Sequence, residues 1–175
     1  MKVLAFAASS SKNSINKKLV TYAVSLLDDI EYEILDLNDY ALPLFSQDIE
    51  KDLGHPQLAQ DFFNKITLSD ALLISFAEHN GCYSAAYKNI FDWCSRIDTK
   101  VYQHKPAVFL STSPGAGGGK HVLELAIKSA IHFDGMVQGS LAVSNFYDNF
   151  DTALLCVSNP TIKRDLINTV KQLKI

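Results

Sequence analysis

Apolar residues along this chain fall into two alternating patterns. Residues 3–7, 70–77 and 106–112 are short, nearly uncharged runs, as expected of parallel strands covered on both faces. Residues 30–37 alternate through Ile30, Tyr32 and Ile34, continuing to Leu35 and Leu37, and 135–143 form one more run. Between these stretches the apolar positions recur at helical spacing. Ile15, Leu19, Tyr22, Ala23, Leu26 and Leu27 make one such face, and Leu58, Phe62, Phe63 and Ile66 make the next. Tyr87, Ile90, Phe91 and Cys94 follow, with Ser84 as an N-cap. A further helix carries Val122, Leu123, Ala126, Ile127, Ala130 and Ile131. The last one carries Ile162, Leu166, Ile167, Val170 and Leu173 behind Asn159-Pro160, a cap followed by proline at the first helical position. Residues 38–56 read as a long loop.

Strand and helix alternate five times, which predicts an α/β three-layer sandwich: a five-stranded parallel sheet with helices on both faces. The expected strand order is 2-1-3-4-5, the flavodoxin-like order. The 175 residues suit a single domain spanning 1–175. In this topology the loops after strands one, three and four leave the same carboxyl edge, side by side where the strand order reverses.

Those three loops are the ones richest in polar residues and glycine. The first, ASSSKNSIN (8–16), packs four serines, two asparagines and one lysine ahead of a helix. A helix N-terminus presents free N–H groups to an anion, and short hydroxyls add neutral donors. The same serines also read as a capping loop, and serine density alone does not separate the two. The second, EHNGCYS (78–84), offers an imidazole, an aromatic ring and amides suited to a planar heterocycle, although an isolated His79 would ordinarily be a solvent-exposed loop residue. Cys82 reads more readily as a small filler than as a reactive thiol, since no base or cation adjoins it. The third, SPGAGGGK (113–120), is not a Walker loop, because His121 follows Lys120, and it follows the wrong strand for a dinucleotide fingerprint. Its glycines are expected to let backbone approach a bound ring.

Charge and composition narrow the field. Net charge is −3, and no basic face stands out, so nucleic acid is not an expected partner. No apolar run approaches the ~20 residues of a membrane span, and the N-terminus shows no signal-peptide cleavage pattern, so no membrane partner is expected. Three cysteines at Cys82, Cys94 and Cys156 fit neither disulfide nor zinc spacing, which favours a reducing, cytoplasmic setting and no metal site.

Three segments of the chain together resemble the NADPH-dependent FMN reductases, the flavodoxin-like group that includes quinone, azo-compound and chromate reductases. Ser9, Ser14 and Asn16 match that family's first loop. Glu78, Asn80, Lys88, Asn89, Asp92 and Trp93 match its second, and STSPGAGGG (111–119) matches a third. The resemblance implies FMN at the strand ends. Its phosphate would rest on Ser9, Ser11, Ser14, the Ile15 backbone and Asn16. Its ring would lie on Glu78, His79, Asn80 and Gly81, with Ser113 and Gly115 nearby. Lys88, Asn89, Asp92 and Trp93 would shape the second loop and subunit packing. The implied activity passes electrons from NADPH or NADH through FMN to a small oxidised acceptor such as a quinone, free flavin, azo compound or metal oxyanion. A homodimer or homotetramer is implied as well. The flavin carries the chemistry, so no catalytic acid or base is expected. Phe146, Tyr147 and Phe150 would wall the pocket, bury a dimer contact or cover the sheet edge.

The alternatives are a one-electron carrier of the same fold or a non-enzymatic binding module. Carriers are strongly acidic, which this chain is not. A phospho-receiver needs acidic residues where Ala7-Ala8-Ser9 and Phe76-Ala77 stand. A serine hydrolase needs a Gly-x-Ser-x-Gly elbow that is absent from the sequence.

The chain departs from the family pattern at Ala8 for glycine, Ser11 for arginine, Ala77 for proline and His79 for tyrosine. Without that arginine, the serine hydroxyls and the helix end would have to do more of the phosphate binding. Ser11→Arg should therefore tighten FMN binding by about tenfold, the scale of one added charge-assisted hydrogen bond; a flavin titration with unchanged affinity would discard the idea.

Overall fold

Every residue of β1 (Lys2–Ala8) after Lys2 is buried. Alternate side chains feed two separate cores. Leu4 and Phe6 join one, and Val3, Ala5 and Ala7 join the other. β3 (Ala71–Phe76) and β6 (Pro106–Thr112) divide the same way, because side chains of a strand alternate between faces. The computed structural model describes residues 1–173.

With β2 (Glu31–Leu35) and β7 (Met136–Val143) these strands form an all-parallel sheet of order β2-β1-β3-β6-β7. Counting its members alone, that is the expected 2-1-3-4-5. On one face lie α1 (Ile15–Val24) and α7 (Pro160–Val170), which bury Leu19, Val20, Leu166 and Val170. On the other lie α3 (Gln57–Thr67), α4 (Ala85–Ile97) and α5 (Lys120–Ala130), contributing Phe62, Ile66, Tyr87, Ile90, Val122 and Ala126. Burying each large apolar side chain is worth roughly 1.5–3 kcal/mol, so these faces fix each helix against the sheet.

Both predicted caps are present. Ser84 Oγ accepts the Tyr87 N–H, and Asn159 Oδ1 accepts those of Thr161 and Ile162 ahead of Pro160. Three expectations need correction. The stretch read as a long loop holds a 3-10 turn (Leu37–Tyr40) and α2 (Gln47–Leu53), which buries none of its residues. Ser46 caps α2 through the Ile49 N–H, Asp48 and Glu50 sit in its first turn, and Gly54 ends it, all local signals with no apolar face behind them. The segment 78–84 is not an irregular loop. It is a hairpin, β4 (Glu78–His79) and β5 (Cys82–Tyr83), around Asn80-Gly81, both at positive φ. Asn-Gly suits that tight turn because glycine carries no Cβ penalty there. Ile131, assigned to the fifth helical face, lies in a terminal 3-10 turn and is exposed.

The two edge strands differ from the central ones. β2 exposes Glu31 and Tyr32, and Glu33 pairs with Lys65 at 2.5 Å and Lys2 at 3.8 Å. β7 skips a residue in its register with β6 between Val137 and Gly139. After β7 come a short helix α6 (Phe146–Asn149) and a small hairpin of β8 (Phe150–Asp151) and β9 (Cys156–Val157). Phe146 and Phe150 are buried and stack 4.6 Å apart, covering the sheet, whereas Tyr147 is 64% exposed. Among the described residues no helix is long and apolar enough to cross a membrane.

The residues of Lys-Asn-x-x-Asp-Trp divide their work on α4. Asn89 Oδ1 accepts the Phe45 N–H at 2.8 Å while its Nδ2 donates to Leu42 and Pro43 carbonyls, and Trp93 Nε1 donates to the Pro43 carbonyl at 2.8 Å. They clamp residues 42–45 rather than the second loop. Lys88 and Asp92 pair on the surface.

All three cysteines are free thiols: Cys82 is exposed, Cys156 half-buried, and Cys94 fully buried. Burial pushes the Cys94 thiol up to about 12. Iodoacetamide at about pH 8 should therefore alkylate Cys82 readily and Cys94 only after unfolding. Mass spectrometry showing Cys94 modified as fast as Cys82 in the native protein would contradict this packing.

Candidate functional site

The loops after β1, β3 and β6 meet, as the topology requires, around an open cleft of about 270 Å³. Ser9, Ser11, Ser14, Ile15 and Asn16 line it from the first loop, Glu78 and His79 from the hairpin, and Ser113 from the glycine loop. Asn80, Gly81 and Gly115 do not line it. Asn80 and Gly81 form the hairpin turn, and the Gly115 carbonyl accepts hydrogen bonds from the Gly118 and Asn145 amides and the Ser113 hydroxyl. Four lining residues were not singled out from the sequence: Asn13, Ala77, Thr112 and Pro114. Asn13, Thr112 and Pro114 lie inside the quoted segments, and Ala77 directly precedes the second loop. Tyr147 was considered among the aromatic residues after the fifth strand, and the two bonds from Asn145 and Phe146 to Gly115 and Ser113 carry it to the cleft.

The first loop folds around its own hydroxyls. Ser9 Oγ accepts the Ser11 N–H at 3.2 Å, the Ser14 N–H donates to the Ser11 carbonyl, and Ser14 Oγ caps α1 by accepting the Lys17 N–H at 3.2 Å. These arrangements use the serine oxygens as acceptors and leave their protons to donate into the cleft. The Ile15 and Asn16 N–H groups, first in α1, have no acceptor among the described residues. Lys17 is turned away to Asp36, and its ammonium, with the Asn38 amide, holds that carboxyl below its ordinary range. Lys12 is exposed.

Asn16 has a second task that the sequence did not disclose. Its buried Oδ1 accepts the Ser75 hydroxyl at 2.8 Å and the Thr112 N–H at 3.0 Å, and its Nδ2 donates to the Thr112 carbonyl at 3.2 Å. The side-chain oxygen and one amide proton are thus spent on the ends of β3 and β6, and the backbone N–H stays open. Ser75, a polar residue inside an otherwise apolar strand, is its complement.

Gly118 is required by the protein's own backbone: a Cβ there would lie 2.9 Å from the Ser144 amide nitrogen, and φ is +61°. Gly115 and Gly117, by contrast, have open space where a Cβ would stand. Ser111 Oγ donates to the Gly118 carbonyl and Thr112 Oγ1 to that of Val143, which anchors the loop onto β6 and β7. Glu78 lines the cleft, yet its carboxylate accepts the Val122 N–H at 3.0 Å. The cleft therefore combines unclaimed amides and hydroxyls at one end with flat His79 and Tyr147 surfaces at its rim. Uncharged donors at a helix start suit a dianionic phosphate, and such surfaces suit a planar ring.

Residues 1–148 match the family model described as NADPH-dependent FMN reductase. The chain belongs to that family. An uncharacterized protein of Mycoplasma pneumoniae is 33% identical over 157 residues, covering 86% of this chain and 91% of that one. An NADPH:quinone oxidoreductase of Arabidopsis thaliana is 31% identical, covering 76% of this chain and 70% of that protein. The fold matches the flavoenzyme NAD(P)H:(acceptor) oxidoreductase FerB of Paracoccus denitrificans with a TM-score of 0.80 at 22% identity, covering 99% of each chain. This reductase is accordingly an FMN- and NAD(P)H-dependent oxidoreductase, and the donors in its cleft fit that cofactor.

Asn16→Ala in the reductase would strand the Ser75 hydroxyl and both Thr112 backbone groups, costing about 2–4 kcal/mol. Urea unfolding should show it; a loss under about 0.5 kcal/mol would mean the clasp is dispensable.

Proposed function

We propose that the cleft holds FMN with its phosphate at the start of α1, and that the enzyme passes electrons from NAD(P)H to a quinone-type acceptor. The observation that carries this reading is the pair of Ile15 and Asn16 N–H groups without a protein acceptor, set among three serine hydroxyls, in a cleft whose one carboxylate is already engaged. In that role the Ser9, Ser11 and Ser14 hydroxyls and the two amides bind the dianion. The helix dipole supplies the field that the missing arginine would otherwise give. Thr112, Ala77 and Ser113 also line the cleft, and His79 and Tyr147 would offer flat surfaces to a planar ring. Asn80, Gly81 and Gly115 serve by shaping the walls. Bound FMN supplies the redox chemistry, accepting hydride from nicotinamide and delivering electrons onward. The chain contributes orientation and an open rim that donor and acceptor use in turn.

The quinone class is favoured by the relatives. One is an NADPH:quinone oxidoreductase, and a Burkholderia relative, 34% identical over 120 residues, is a 2-hydroxy-1,4-benzoquinone reductase. The single-domain, cytoplasmic, homo-oligomeric organisation belongs to the same proposal. Supporting assembly, an aromatic groove lined by Tyr83, Tyr87, Phe91 and Phe133 opens on the α4 side of the molecule.

The purified protein should bind FMN and oxidise NADPH steadily when 1,4-benzoquinone is supplied, and Tyr147→Ala should raise the quinone KM severalfold with a smaller change in FMN affinity. A protein that takes up no flavin would overturn the proposal. Flavin reduced only by a partner protein, never by NAD(P)H, would move the chain to the carrier alternative.

A further inference from the structure

Two helices begin beside the cleft, and they treat anions differently. α1 leaves its Ile15 and Asn16 amides open. α5 begins behind Gly119, which has no side chain to cap it. Its cap comes from another loop: Glu78 Oε2 accepts the N–H of Val122, third in the helix, at 3.0 Å, and His121 Nδ1 lies 3.5 Å from Oε1. Glu78 opens the hairpin, which lines the cleft through Glu78 and His79, and α5 continues the glycine loop, which lines it through Ser113 and Pro114. One half-buried carboxylate therefore ties these two neighbouring loops together.

We propose that Glu78 is a positioning residue, whose carboxylate caps α5 from the neighbouring hairpin, fixes the separation of hairpin and glycine loop, and fills the second anion-attracting helix end so that a phosphate-bearing ligand has one place to dock. This rests on the flavin reading above for its effect on binding, but not for the contact itself. A carboxylate near a helix start is favoured by the dipole and by the unsatisfied N–H it accepts. Reach matters as much as charge. Aspartate keeps the charge on a side chain one methylene shorter and falls short of Val122. Glutamine keeps the reach and a carbonyl oxygen to accept the same N–H. A residue acting on the ligand by its charge would rank those two variants the other way.

The test compares Glu78→Gln, Glu78→Asp and Glu78→Ala. Titrating each apoprotein with FMN, followed by flavin fluorescence, should give an affinity for the Gln variant within about threefold of the parent, and weakening of about tenfold for the Asp and Ala variants, the scale of one charge-assisted hydrogen bond. In the flavin-free proteins, exchange of the Val122 amide hydrogen should accelerate in the Asp and Ala variants and stay slow in the Gln variant, with α7 amides unchanged in all three. An Asp variant that binds FMN like the parent while the Gln variant does not, or Val122 exchange indifferent to every substitution, would overturn the proposal. Should the parent protein itself bind no FMN, the flavin reading falls and the exchange ranking alone decides the role of Glu78.

Discussion

One buried side-chain amide ties the start of α1 to the carboxyl ends of β3 and β6. Asn16 enters from the first turn of α1 and satisfies a hydroxyl on β3 and both backbone groups of Thr112 on β6. Buried polar groups of this kind are costly when unpaired and rigid when fully paired. No buried side-chain nitrogen or oxygen among the described residues lacks a partner. The clasp has a functional side. It fixes where α1 begins relative to the neighbouring strands, and so where the amides of Ile15 and Asn16 are aimed. Backbone donors have no long flexible side chain to adjust their position, so their aim is inherited from the sheet.

The electrostatics of the cleft follow the same economy. Lysines close to it in sequence are turned elsewhere or exposed. Lys17 is drawn to Asp36, and Glu78 is drawn to α5. The other groups that line the cleft are dipolar rather than charged. Dipoles held rigidly by a fold need no reorganisation when a ligand arrives and are less sensitive to salt than exposed ion pairs. The aromatic and imidazole surfaces stand at the rim, mounted on the hairpin and on α6, outside the parallel sheet.

The layer architecture and strand order were legible in the sequence, because strands covered on both faces leave continuous apolar runs and their helices leave periodic ones. That the first loop lines the cleft was legible for a local reason, its hydroxyl-rich approach to a helix start at the carboxyl edge. What was not legible was of two kinds. α2 carries its signals in capping residues alone, since nothing on it is buried, and a search for apolar periodicity passes over such a helix. The Asn80-Gly81 hairpin was hidden by reading its residues for ligand chemistry rather than for turn geometry. The double duty of Asn16 depends on residues 59 and 96 positions away in the chain, and no local pattern reports such a partnership. The resemblance added the cofactor's identity, which no spacing here would have supplied. Of its Lys-Asn-x-x-Asp-Trp residues, Asn89 and Trp93 secure residues 42–45 rather than the second loop.

The sheet's two borders bear on how copies of the molecule meet one another. A lone strand flank invites a neighbour's backbone to zip onto it. β2 meets that hazard with Glu31 and a Glu33 bracketed by lysines, so an approaching strand would have to displace ion pairs and accommodate fixed charge. β7 meets it with a slipped register that spoils the even ladder an incoming chain needs. Growth of a continuous intermolecular sheet is thereby discouraged at both margins, which leaves helical faces as the surfaces on which orderly association can be built.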